Sequence, residues 1–172
     1  MEERFGFIHE KLDIKLLILF ILRRLPGTVN RELLADFAQC DGGVGYFDYS
    51  DCLYELIGNG LVIEEKDGYR ISEKGASVGE TVESSLPFSV RKKAEKLIAP
   101  EAERLRRLSL LTAEHSIKDG CCFVTLAMSD GKGEILRTEI MCASDEQAER
   151  IEKNFKQNAE KLYGQMIELL DK

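Results

Sequence analysis

The chain has 172 residues, with two histidines, five cysteines and 31 carboxylates, the side chains that ligate metals or attack carbonyl and phosphoryl centres. Their spacing gathers none of that chemistry. His9 and His115 belong to no HxH or HxxxH pattern, and His115, beside Glu114, reads as packed or surface-exposed. Cys40, Cys52, Cys121, Cys122 and Cys142 form no CxxC pair. Cys121 and Cys122 are adjacent, so on a strand they point to opposite faces and cannot easily chelate one ion. Reduced thiols are the expectation for all five, with Cys121 and Cys122 as small buried apolar groups. Asp41-Gly42-Gly43-Val44-Gly45 reads as a turn and not a phosphate cradle, because no strand precedes it and no Gly-Lys-Ser/Thr follows. With no paired carboxylates, nucleophile elbow or dinucleotide fingerprint, the expectation is a protein that is not an enzyme and takes no cofactor or metal.

What remains is recognition by hydrogen bonds and charge. A helix starting near Asp48, with Asp48 as N-cap, and ending at Gly58-Asn59-Gly60 buries Leu53, Leu56 and Ile57. Its geometry turns Ser50, Asp51, Tyr54 and Glu55 outward. Ser50 and Tyr54 are the candidate hydrogen-bonding residues of this face. Arg31, Lys66 and Arg70 are the candidate cationic contacts.

The elements that position these groups follow in order. Met1 to Lys11 is a loose arm or a short helix docked by Phe5, Phe7 and Ile8. From Asp13 to Leu25 the apolar residues cover every side, so this first helix must be buried on more than one face. Its second cover is either the C-terminal region or another copy of the chain. Pro26-Gly27 ends it. Asn30 caps a second helix that runs to about Gln39. After the third helix, Asp67-Gly68 between strand-like runs predicts a two-residue hairpin opposing Glu65 to Arg70. Ser72-Glu73-Lys74-Gly75 opens a further helix through Val82.

The first helix, ELLADF, YFDYSDCLYELIGNGLVIEE and YRISEKG resemble winged helix-turn-helix transcription regulators. The likeness extends to a clostridial family of transcriptional regulators in which a small α+β domain follows the winged helix. It covers residues 13–83 well and the remainder more loosely. It implies DNA binding, with the third helix in the major groove, Ser50 and Tyr54 facing bases, Lys66 and Arg70 of the hairpin wing on the backbone, and Arg31 on the phosphates near the second helix.

Past the break at Ser84-Ser85-Leu86-Pro87, a helix from Phe88 to Ile98 is interrupted at Pro100. This stretch holds Arg91, Lys92, Lys93, Lys96, Arg104, Arg106 and Arg107. It reads as phosphate-contacting or as a solvated face with Glu95, Glu101 and Glu103 interspersed. Residues 107–143 predict a three-strand antiparallel meander, its first strand at Leu108 to Ile117, with turns at Asp119-Gly120 and Asp130-Gly131-Lys132-Gly133. A capping box at Ser144–Gln147 opens a final helix whose stripe of Ala148, Ile151, Phe155, Ala159, Leu162, Met166 and Leu169 covers the meander.

The expected fold class is therefore α+β: a winged helix over 1–83, a linker helix over 84–106, and a dimerisation or sensing domain over 107–172. The expected partners are double-stranded DNA and a second copy of the chain, with any small-molecule effector left open. No apolar run is long enough for a membrane, and the cytoplasm is the expected location. Charge pulls the other way. Net charge is −7, and residues 1–85 carry 16 acids against 9 bases. From Glu32 to Glu65 there is no Arg or Lys. A protein–protein adaptor, with the acidic third helix meeting a basic partner, is thus the alternative to a DNA-binding regulator.

Overall fold

A computed structural model describes Phe7, Ile8 and residues 10–171. His9 and Phe5, considered above, lie outside the described residues. The chain forms two compact units, Met1–Leu105 and Arg106–Lys172.

In the first unit, α1 (Lys11–Arg24) buries eight residues, including Leu17, Ile18, Phe20 and Ile21. Its two covers come from the same unit. Leu34, Leu53 and Leu56 share the apolar cluster with α1, and so do Val90, Ala94, Ile98, Ala102 and Leu105 of α5 (Phe88–Ser109). A second copy is not needed to bury this helix.

α2 (Arg31–Ala38) begins as expected at Asn30, whose side-chain oxygen accepts from Glu32 N at 2.9 Å. α3 (Tyr46–Gly58) starts two residues earlier than expected. Gly45, in extended backbone, is its N-cap and supplies no side-chain bond. Asp48 therefore does not cap the helix; it lies in the first turn, where a carboxylate still complements the helix dipole.

β1 (Val62–Glu65) and β2 (Gly68–Ile71) pair antiparallel, with Glu65 opposite Gly68 and Ile63 opposite Arg70. The turn is thus Lys66-Asp67, one residue earlier than Asp67-Gly68. The predicted Glu65–Arg70 ion pair still forms at 2.5 Å, but diagonally across the strands. The hairpin also takes a third partner from the segment before α2. Val29 N donates to Tyr69 O at 2.8 Å, and Tyr69 N to Val29 O at 2.9 Å. Helix, bridge, helix, helix, hairpin is the order of a winged helix.

α4 (Glu73–Val82) is capped by Ser72, which accepts from Gly75 N. α5 then runs through Pro100 without a break, contrary to the expected interruption. Lys96, the residue whose carbonyl loses its N–H partner, is exposed, as is Pro100. Solvent can satisfy that carbonyl, so the proline costs one bond and not the helix.

In the second unit, β3 (Leu111–Lys118), β4 (Cys121–Ser129) and β5 (Glu134–Cys142) form the expected meander in the order β3-β4-β5. The first strand starts at Leu111 and not Leu108, because α5 continues to Ser109. Asp119 and Gly120 have φ of 50° and 79°, the left-handed pair that a tight hairpin requires. Cys122, Val124, Leu126 and Met128 are buried. α6 (Asp145–Leu170) packs Ala148, Phe155 and Ala159 into the same cluster. Ser144 accepts from Gln147 N, and the Gln147 side-chain oxygen accepts from Ala143 N, one residue ahead of the expected box partner. The helix leaves regular geometry at Asn158 (φ −130°). Tyr163 still packs against this cluster, but the expected cover does not reach the end of the helix: Leu169 is 70% exposed and Leu170 79%.

Candidate recognition face of the winged helix

α3 packs Tyr49, Cys52, Leu53 and Leu56 inward. The opposite side carries Tyr54 at 79% exposure and Phe47 at 84%, with Tyr46 also exposed. Asp51 and Glu55 face solvent as expected, and Ser50 is half-buried. The acids are not unbalanced. Lys11 of α1 lies 3.4 Å from Asp51 and 3.8 Å from Glu55, and Lys15 pairs with Glu55. The hydrogen bond from Lys15 holds the Glu55 carboxyl below its usual range, and Asp51 pushes the Lys11 ammonium up.

The expected phosphate contacts divide into two kinds. Arg31 pairs with Glu64 at 2.8 Å, reaches the Tyr69 hydroxyl at 3.3 Å and lies over the Tyr69 ring. Arg70 is held by Glu65, which also accepts from the Thr28 hydroxyl; that hydrogen bond and Arg70 keep the Glu65 carboxyl low. Lys66, exposed in the hairpin turn, makes no ion pair among the described residues. On α5, Lys93 lies 3.9 Å from Asp41, beside the turn that leads into α3, and Arg104 is paired with Glu101.

A groove of about 400 Å³ between α2, α3 and the hairpin brings Arg31, Ser50 and Tyr54 together. Lys66 and Arg70 lie outside it. Among the described residues no cluster of His, Cys, Asp and Glu is arranged to hold a metal ion, and no helix is long and apolar enough to cross a membrane.

A family model described as a domain of unknown function, DUF4364, matches residues 14–170, nearly the whole chain. The chain belongs to the DUF4364 family. No curated protein and no solved structure matches it.

Two residues of the DUF4364 face were missed by sequence reasoning. Asp41, read as part of a flexible turn, is a buried carboxylate that accepts from Phe7 N and Ile8 N and so ties the N-terminal arm beside α3. Tyr49, given no role from the sequence, is only 3% exposed, and its hydroxyl has no hydrogen-bond partner among the described residues. Burial pushes that phenol well above its ordinary range. A signal for Tyr49 existed: it stands four residues before Leu53, on the inner stripe. None existed for Asp41, whose partners are backbone amides 33 and 34 residues away.

Proposed function

We propose that this DUF4364 chain is a cytoplasmic transcription regulator that binds double-stranded DNA through its winged helix and works as a homodimer. The observation that carries the reading is α3, whose outward side is exposed next to a two-stranded hairpin, the arrangement that places a helix in a major groove. Ser50 and Tyr54 offer hydroxyls to base edges, and Lys66 meets the backbone on the hairpin side. Arg31 and Arg70 contribute only by exchanging Glu64 and Glu65 for phosphate. Each exchange breaks an existing pair, so affinity is modest, and because the contacts are ionic it falls as salt rises.

Gel shifts of the purified chain on genomic fragments test this. A shift at low ionic strength that salt abolishes supports the reading. No shift at any salt concentration, with the chain at high concentration, overturns it.

A second reading, a protein–protein adaptor, is favoured by one specific feature. The stretch from Glu32 to Glu65 has eight acids and no base, and exposes Tyr46, Phe47 and Tyr54 beside them. Exposed aromatics ringed by charge are typical anchors of protein interfaces. Replacing Asp51 and Glu55 with Lys discriminates the two: DNA binding strengthens under the first reading, and capture of a basic partner is lost under the second.

A further inference from the structure

We infer that the groove between α2, α3 and the hairpin is a binding site for a small organic cation bearing a guanidinium or alkylammonium group. The inference goes beyond DNA recognition and does not depend on it.

Three observations carry it. First, the groove's volume of about 400 Å³ lies within the range of small-molecule sites. Second, Tyr46, Tyr49, Tyr54 and Tyr69 line it, and ring faces attract cations electrostatically. Tyr49 lines the groove as well, and its hydroxyl is buried with no partner among the described residues. A buried hydroxyl without a partner is costly, so a group that supplies the missing bond gains affinity.

Third, the sign of charge selects a cation. Arg31 is the one base lining the groove, and it is already paired with Glu64 and laid over Tyr69. Glu32 also lines the groove and makes no ion pair among the described residues. One exposed carboxylate is thus left over in a groove that four tyrosines also line. An anion would have to displace Glu64 from Arg31. A guanidinium instead donates to the Tyr49 oxygen and to the Glu32 carboxylate while its plane rests on a tyrosine ring.

The test is titration calorimetry of the full chain with agmatine and with tetramethylammonium, each against sodium chloride at matched ionic strength. The chain has five tyrosines and no tryptophan, so tyrosine fluorescence gives an independent readout, dominated by the groove. Saturable binding of at least one cation is expected, weakened about tenfold by Tyr49→Phe for agmatine and by Glu32→Gln for both, at unchanged melting temperature or higher. Tyr49→Phe keeps the ring and removes only the unpartnered hydroxyl, so loss of folding does not confound it. If neither cation gives saturable heat, if sodium chloride reproduces the signal, or if both variants bind like the parent chain, the site is refuted.

Discussion

Gly68 lies so close to Val29 that a Cβ on it would stand 1.9 Å from the Val29 carbonyl oxygen. The glycine is needed for this approach, which lets the segment before α2 bridge to the hairpin at Val29 and Tyr69. Gly68→Ala is therefore expected to destabilise the first unit by about 1–3 kcal/mol, the range for forcing an extra methyl group into packed surroundings. Asp67→Ala, in the exposed turn, should cost far less. Urea unfolding of the two variants checks the contrast, and equal midpoints would contradict it.

Asp41 holds the arm by accepting from two backbone amides, the one at Ile8 over 2.9 Å. Asp41→Ala leaves both amides unmet, at about 1–3 kcal/mol for each that stays buried. Asp41→Asn keeps an acceptor and should restore much of the loss. Hydrogen exchange at Phe7 and Ile8 should speed up strongly in the alanine variant alone. Protection that persisted there would show that the arm is held by other contacts.

In the second unit His115 Nδ1 lies 2.7 Å from a Glu152 carboxylate oxygen, and that bond raises the imidazole above its ordinary value of 6.5. The folded value exceeds the unfolded one. The pair's contribution to stability is therefore complete below pH 6.5 and disappears as pH rises through the raised folded value. Glu152→Gln should return the His115 NMR titration toward its ordinary midpoint and flatten the fall in melting temperature across that window. A His115 midpoint that did not move would rule the coupling out.

Beyond Ala159, α6 presents Leu162, Ile167, Leu169 and Leu170 to solvent. Lys153, Lys156 and Lys161 precede or open this stretch, and Glu168 and Asp171 close it. Two copies laid antiparallel would set the basic end of each against the acidic end of the other, over a shared apolar seam. The proposed dimer should dissociate when Leu162 and Leu169 are both changed to Glu. Sedimentation velocity measures this, and a parent chain that is already monomeric would remove the dimer from the proposal.

The legible parts of the sequence were those governed by near neighbours. Asn30, Ser72 and Ser144 cap their helices because the donors they satisfy lie within three residues. The Asp119-Gly120 turn was equally plain, since left-handed backbone favours those residue types. Misreadings arose where distant groups decided. Asp-Gly at 67–68 carries the same dipeptide, but contact with Val29 sets its register. Pro100 breaks helices by local rule, yet its exposed side leaves the lost bond to solvent. At the recognition face, Ser50 and Tyr54, named from helix phase, share one groove with Arg31, named as a phosphate contact near the second helix. That Glu64 holds Arg31 followed from a strand register no local signal specified.

Lys11 and Lys15 stand one helical turn apart on α1, the most deeply packed helix of its unit, and meet Asp51 and Glu55 across the gap to α3. The counter-charges of the outer helix are thus mounted on an immobile post. Evolution cannot then rewrite α3 alone. A relative that lost its acid at position 55 would leave a lysine stranded at position 15, so substitutions at these two places should travel together through the lineage, as should those at 51 and 11.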